Sequence, residues 1–335
     1  MTKVRMGFIG AGGIARAHVR RLLDVPEAEI VAFAEPSEAS MARMVEDHPH
    51  LKDVPVFADY RQMLQSAAVE MDAVQIHTPH TLHFEQAMDC LAAGKHVLLE
   101  KPMVCTVPRA HALIEAVGDR VLLISYQRHY QGSYIYIRDQ IQSGALGELT
   151  YISALQGQNW LNGTRGKWRQ SLALSGGGQL NDSGSHLIDV LLWSTGLVAE
   201  SVYCDLTRYD TEVDIDSALT IGFTNGARGT ISVIGNSPMF WEEFSVWGDK
   251  GVLLYRNGTI MRRAFDDPTL RGTEMHVVDE ELPASSTPDR NFVDVILGRD
   301  TNRVPAECGL RVIELTEAAW KSAELGRVVK VAELA

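Results

Sequence analysis

The sequence predicts a two-domain α/β protein, with a doubly wound parallel sheet over residues 1–125 and an α+β domain built on an antiparallel sheet over residues 126–335. Three observations lead there. Short apolar runs alternate with helical segments through the first third of the chain. The first of those runs ends in a glycine cluster that opens a helix. Beyond residue 125 longer strand-like segments follow one another across turn residues. At 335 residues the chain exceeds what one ordinary core serves, so two domains are the default.

Residues 4–9 are an apolar run ending in glycines, as in a strand buried on both faces. A helix is expected over 14–23, a strand over 30–34 and a polar helix near 37–47. Asp59 is placed to cap a helix through Leu64 and Ala67. Strands at 73–76, 96–99 and 121–125 alternate with helices at 81–93, closed by Gly94, and at 108–117. Then the character changes. A helix at 134–143, ended by Gly144, precedes strands at 149–155, 201–206, 218–223 and 229–234, with Asn225-Gly226 as a hairpin turn between the last two. A helix at 310–325 and a short strand at 328–331 close the chain.

The net charge of −12 argues against a nucleic-acid surface, which needs a basic field. It leaves room for a phosphorylated cofactor, because a helix N-terminus holds pyrophosphate without net positive charge. Cys90, Cys105, Cys204 and Cys308 are scattered and show no Cys-x-x-Cys spacing, the pattern of intracellular free thiols. No apolar run reaches the roughly 18 residues of a membrane span. The chain enters its first strand too soon for a signal peptide, so a cytoplasmic protein with no membrane partner is expected.

Gly10-Ala11-Gly12-Gly13-Ile14-Ala15 matches the G-x-G-x-x-G/A fingerprint of a Rossmann unit and sits between a predicted strand and a predicted helix. Gly10 permits the tight turn, Gly12 lets backbone approach pyrophosphate, and small Ala15 lets helix and strand pack closely. Glu35 ends the second strand about 20 residues on, where an acidic side chain accepts hydrogen bonds from the adenosine ribose. A carboxylate there repels a 2′-phosphate, and no Arg or Lys follows in Pro36-Ser37-Glu38, which favours NAD over NADP.

His77, His80 and His83 recur at every third position and invite a zinc reading. Pro79 disfavours helix at Thr78, so the three do not share one helical face, and no metal is expected. A strand end followed by a turn and a helix start is where open α/β sheets bind ligands. Thr78, Pro79, His80 and His83 are therefore expected to line the cofactor cleft. Glu100-Lys101-Pro102 follows directly on a strand, and Lys101 can reach into such a crevice, although a surface lysine is the commoner case. Downstream, Gly176-Gly177-Gly178 precedes a segment read as a helix, in which Asp182, His186 and Asp189 fall on one face. Its remaining residues from Leu187 to Trp193 are apolar, and charged groups in such a setting need partners or a function.

On these segments the chain resembles the Gfo/Idh/MocA oxidoreductases, a family that includes inositol dehydrogenases and glucose–fructose oxidoreductase. The resemblance rests on Gly7-Phe8-Ile9 with the glycine fingerprint, on Thr78-Pro79-His80-Thr81-Leu82-His83, and on Ala93-Gly94-Lys95-His96-Val97-Leu98-Leu99-Glu100-Lys101-Pro102. It continues through Ser143-Gly144-Ala145-Leu146-Gly147 and the glycine run to His186 and Asp189. Two departures stand out: His80, where many relatives carry Asn, and Gln127 before Arg128, in a variable segment that borders the nicotinamide.

The resemblance implies NAD(H) as cofactor and a large, open, mostly antiparallel second sheet whose outer face builds dimers or tetramers. It implies cofactor contacts from Gly10, Gly12, Gly13, Ile14, Ala15, Glu35, Thr78, Pro79, His80, His83, Glu100, Lys101, Gln127 and Arg128. It also implies catalytic roles: Lys101 bonding the reacting oxygen, His186 as base and Asp182 as the orienting carboxylate. An imidazole titrates near working pH and suits proton removal from a secondary hydroxyl, and a lysine ammonium suits the developing alkoxide. Asn159, Trp160, Trp168 and Arg169 could hydrogen-bond or stack on a sugar ring, or simply pack. Two rival readings remain: an NAD-assisted glycosidase of the same fold, and a non-catalytic NAD-binding sensor, against which the joint presence of Lys101, Asp182 and His186 argues.

The cofactor reading yields a direct expectation. The kcat/KM ratio on any accepted substrate should favour NAD over NADP, and Glu35→Ser with Ser37→Arg should move that ratio toward NADP. A wild-type ratio that favours NADP would refute the assignment to Glu35.

Overall fold

The computed structural model describes residues 3–334; Met1, Thr2 and Ala335 lie outside them. The chain divides into two compact units. One comprises Met1–Val104, Pro108–Gln127 and Ser286–Leu310; the other comprises Cys105–Val107, Arg128–Ser285 and Arg311–Ala335. Among the described residues no helix is long and apolar enough to cross a membrane.

The first unit alternates strand and helix: β1 (Val4–Ile9), α1 (Gly13–Leu22), β2 (Ala28–Ala34), α2 (Glu38–Asp47), β3 (Val56–Phe57), α3 (Tyr60–Gln65), β4 (Ala73–Ile76), α4 (His83–Ala92), β5 (His96–Leu99), α5 (Val107–Ala116) and β6 (Leu122–Ile124). The strands form one sheet in the order β3-β2-β1-β4-β5-β6, and every pairing is parallel. A parallel sheet covered on both faces needs unbroken apolar strands, and Ala73, Val74, Gln75 and Ile76 of β4 are all buried. The reversal of strand order lies between β1 and β4, where such sheets bind their ligands. Ser37 Oγ accepts from Ser40 N–H to cap α2, and Asp59 accepts from Arg61 N–H to cap α3, as its position predicts. The helix Pro288–Ile296 returns late in the chain to this unit.

The second unit opens on α6 (Gly132–Gln142), which the sequence places two residues later, and then β7 (Leu149–Asn159). One-turn helices α7 (Trp160–Gly163) and α8 (Leu172–Ser175) lead to the buried helix α9 (Gly184–Thr195). Strands β8 (Ala199–Thr207), β9 (Asp216–Phe223), β10 (Arg228–Ile234), β11 (Asn236–Gly248), β12 (Gly251–Arg256), β13 (Thr259–Ala264), β14 (His276–Val277) and β15 (Val329–Lys330) follow, with the helix Ala306–Leu325 before the last. They form a nine-stranded sheet in the order β14-β13-β12-β11-β7-β10-β9-β8-β15. Every pairing is antiparallel except β7 with β10. That parallel pair arises because α7 to α9 carry the chain away from β7 before the meander β8–β10 returns beside it.

Two sequence expectations change here. Asp182 lies in the turns ahead of α9, which starts only at Gly184, so Asp182 and His186 do not share a helical face. Strands β11 to β14 had not been anticipated, although Asn257-Gly258 marks the β12–β13 hairpin plainly: both residues have positive φ, 44° and 93°, as a two-residue type I′ turn requires. Burial alternates along β10. Ile231 and Val233 are buried, whereas Thr230 and Ser232 alternate with them and leave Ile234 the apolar residue of the other set.

Gly258→Ala forces a Cβ onto a left-handed backbone and should cost about 1–2 kcal/mol, read by urea denaturation. A variant as stable as wild type would argue against the type I′ turn.

Candidate active site

Gly10 ends β1 with φ +93°, and its N–H donates to Ala34 O at 2.9 Å. A Cβ there would fall 2.9 Å from the His77 carbonyl oxygen, so the tight turn itself requires glycine. Gly12 differs: a Cβ on it would meet nothing within 4 Å. Internal packing does not explain this glycine, but the close approach of a ligand does. Gly12 is also the N-cap of α1, and no side chain caps that helix. Open space before uncapped N–H groups at a helix N-terminus fits a pyrophosphate. Glu35 sits beside this loop, with Oε2 accepting from Ala11 N–H and Oε1 from Ser37 N–H, both at 2.8 Å. A carboxylate has further acceptor capacity, so this anchorage leaves it able to take ribose hydroxyls. Ile14 is exposed and Ala15 fully buried at the start of α1.

The histidine triplet does not converge. His77 Nε2 bonds Gln75 Oε1 at 3.1 Å within the sheet. His83 is fully buried, with Nδ1 2.8 Å from Pro102 O and Nε2 3.0 Å from Thr78 O. It therefore ties two loops together. His80, also buried, meets the His83 ring edge-on at 5.7 Å. Thr78 Oγ1 donates to Gln86. Glu100 is likewise internal, bonded to His18 through Oε1, while its Oε2 accepts the Lys101 N–H at 3.2 Å. Lys101 itself is half-buried. Gln127 closes the first unit, and Arg128 opens the second in a buried ion pair with Glu242. Glu242 also accepts from Tyr134 and from Gln156 Nε2, so Arg128 is committed to the core of its own unit.

In the second unit the glycine run is held by Asp214, which sequence reasoning missed. Its Oδ1 accepts from Gly178 N–H and Trp320 Nε1–H, both at 2.9 Å, and its Oδ2 from Leu180 N–H at 2.8 Å. A Cβ on Gly178 would lie 1.8 Å from the Asp214 carbonyl oxygen, so only glycine admits this approach. Burial pushes the Asp214 carboxyl above its ordinary value although three donors oppose the shift. An acid set between apolar Val213 and Ile215 is the signal that could have found it.

This clamp fixes the segment that presents Asp182. There Asp182 Oδ2 accepts from Trp160 Nε1–H and Arg169 Nε–H, both at 2.9 Å. Two of the residues read as substrate contacts are thus the carboxylate's own supports. Trp160 is buried, and Arg169 stacks its guanidinium 4.4 Å over the Trp168 ring. Asn159, at the end of β7, bonds Asn162 at 3.2 Å. His186 is half-buried in the first turn of α9. Asp189 serves His129, whose Nε2 lies 2.8 Å away.

A six-stranded parallel sheet with a glycine loop at its first crossover, joined to a unit that presents an anchored carboxylate and a histidine, defines a dinucleotide-binding oxidoreductase. The chain belongs to the Gfo/Idh/MocA family: residues 4–126 match its oxidoreductase, NAD-binding Rossmann model and residues 134–254 match the GFO/IDH/MocA C-terminal domain. The chain is 31% identical over 199 residues to the rhizopine catabolism protein MocA of Rhizobium meliloti, a match covering 58% of each chain. It is 28% identical to scyllo-inositol 2-dehydrogenase (NADP(+)) of Bacillus subtilis (strain 168), over 97% of this chain and 95% of the relative. The levoglucosan dehydrogenase structure in complex with NADH and L-sorbose superimposes with a TM-score of 0.87 over 99% of both chains at 20% identity, a likeness of fold. The protein is an NAD(H)-dependent oxidoreductase.

Asp214→Asn keeps one accepting oxygen and sets an amide donor either against Leu180 N–H or against Gly178 N–H and Trp320 Nε1–H. It should lower stability by about 1–3 kcal/mol, read by denaturant unfolding, while the NADH dissociation constant stays at its wild-type value. Unchanged stability would show that the clamp is dispensable.

Proposed function

We propose that this enzyme is a dehydrogenase acting on a secondary hydroxyl of a sugar, inositol or related polyol or glycoside, reversibly and with NAD in preference to NADP. The observation that carries the reading is Asp182, a carboxylate pinned by Trp160 and Arg169 in the turn just before the helix that bears His186. Bound NAD supplies the redox chemistry by accepting the carbinol hydrogen with its electron pair. His186 removes the hydroxyl proton. The Lys101 ammonium stabilises the negative charge that develops on that oxygen, and Asp182 orients the hydroxyl and the base. Asn159 and Trp168 border the sugar ring. The names of relatives support the substrate class, since they include inositol, levoglucosan and D-glucoside dehydrogenases.

The nine-stranded sheet also supports a homodimer or homotetramer. Across its outer face Tyr203, Thr220, Thr230, Ser153 and Ser245 stand in one register row, flanked by the exposed pair Tyr151 and Trp247. The row itself carries no charge, and with exposed aromatic rings beside it and Arg228, Glu243 and Arg256 around it the face suits a second copy.

His186→Ala should lower kcat by about 10²–10⁴-fold, with the NADH dissociation constant little changed, because the glycine loop and Glu35 hold the cofactor. A screen of polyols, inositols, aldoses and glycosides, followed by NADH absorbance, identifies the substrate. Net glycoside hydrolysis without NADH would replace the dehydrogenase reading, and near wild-type turnover of His186→Ala would place the base elsewhere.

A further inference from the structure

Helix α1 carries a histidine on its buried face, among Ala15, Val19 and Leu22, where packing on a sheet ordinarily takes an apolar residue. His18 is fully buried between two carboxylates. Its Nδ1 lies 2.7 Å from Asp289 Oδ1, on the helix Pro288–Ile296, and its Nε2 lies 2.8 Å from Glu100 Oε1, just beyond β5. A neutral imidazole has one N–H and would aim a lone pair at one of these acids; only the doubly protonated ring donates to both. Three other groups face the cluster, and one of them opposes a further cation: Arg21 Nη1 lies 3.5 and 3.4 Å from His18 Nδ1 and Nε2, so the charge on the ring rests on the two carboxylates. Gln75 Nε2 donates to Asp289 Oδ1 at 3.2 Å, Arg21 Nη1 lies 3.2 Å from Asp289 Oδ2, and the His77 ring stands 4.4 Å from the His18 ring.

Burial opposes the charge on His18, but Asp289 and Glu100 outweigh it and push the ring up to about 9. His77, buried and facing that cation, is held well below the ordinary imidazole value. Burial would raise Glu100, yet the bond from His18 wins and holds the carboxyl well below the usual carboxylate range. Glu100 then uses its second oxygen to accept the Lys101 N–H at 3.2 Å.

We propose that His18 is a positioning residue for Lys101: donating from both ring nitrogens, it fixes Glu100 between α1 and the helix Pro288–Ile296, and Glu100 fixes the backbone at Lys101. The proposal rests on the reading of Lys101 as the group that stabilises the substrate oxygen. The cofactor-loop helix and the lysine-bearing strand end thus share one internal cation. Because the folded ring holds its proton above the value of an unfolded histidine, the contribution is complete below about pH 6.5. It is lost as pH rises through about 9.

The test uses the full chain labelled with ¹⁵N-histidine. At neutral pH one ring should show two slowly exchanging N–H signals that vanish in His18→Gln, and that variant should lose about 10- to 100-fold in kcat while still binding NADH. Asp289→Asn keeps His18, Glu100 and Lys101 and should move the alkaline limb of kcat to lower pH, because the ring loses one of its two anions. A His18 ring with a single N–H at neutral pH, a folded His18→Gln enzyme with wild-type kcat, or a limb that stays in place in Asp289→Asn overturns the proposal. Wild-type kcat in Lys101→Ala overturns the underlying reading of Lys101 instead, and is recognisable because the two-proton His18 ring persists in that variant.

Discussion

A buried carboxylate must be matched by donors, and each unit arranges its chemistry-bearing segment around one. In the first unit Asp289 gathers His18 and Arg21 from α1 and Gln75 from β4. In the second, Asp214 gathers Gly178, Leu180 and Trp320. Removing either acid would strand several donors in a dry interior, and each stranded group costs about 1–3 kcal/mol. The acids therefore specify the loops more sharply than apolar packing could, because a hydrogen bond fixes direction as well as distance.

The same logic explains the segment between them. Glu242 sits on the buried alternation of β11 with Phe244 and Val246, and is matched there by Arg128, Tyr134 and Gln156. It draws the start of the second unit onto its sheet. Asp182 follows the rule with less burial around its partner: Trp160 is enclosed and Arg169 remains partly open. Two donors on one oxygen fix the direction of the Asp182 carboxylate.

Much of the first unit was legible because its signals are local. Apolar runs of four to six residues, a glycine fingerprint, Asp59 as a cap, and Gly94 with its positive φ each act within a few residues. β3 escaped because it spans only Val56–Phe57 at a sheet edge. In the second unit β11 was hidden by Pro238, which falls where pairing with β7 skips from Asn236 to Trp241, and by Glu242, an acid where alternation calls for an apolar residue. The helical face expected to join Asp182 to His186 failed for a related reason. The tight approach of Gly178 to Asp214 holds the chain in turns through Ser183 and delays the helix to Gly184.

The sequence by itself determined the order of strands and helices in the first unit apart from β3 and the helix Pro288–Ile296, the cofactor loop and the residue types able to move a proton, because periodicity, glycine conformation and side-chain chemistry are properties of short stretches. Only the tertiary structure decided what those residues touch. It made His83 a clamp between loops, committed Glu100 to His18 and Arg128 to Glu242, and made Trp160 and Arg169 the supports of Asp182. These partners lie 13 to 114 residues apart, except for His83 and Thr78, which are 5 apart. Pairings over such separations depend on burial and on the donors that burial leaves unmatched, and neither is written in the local pattern.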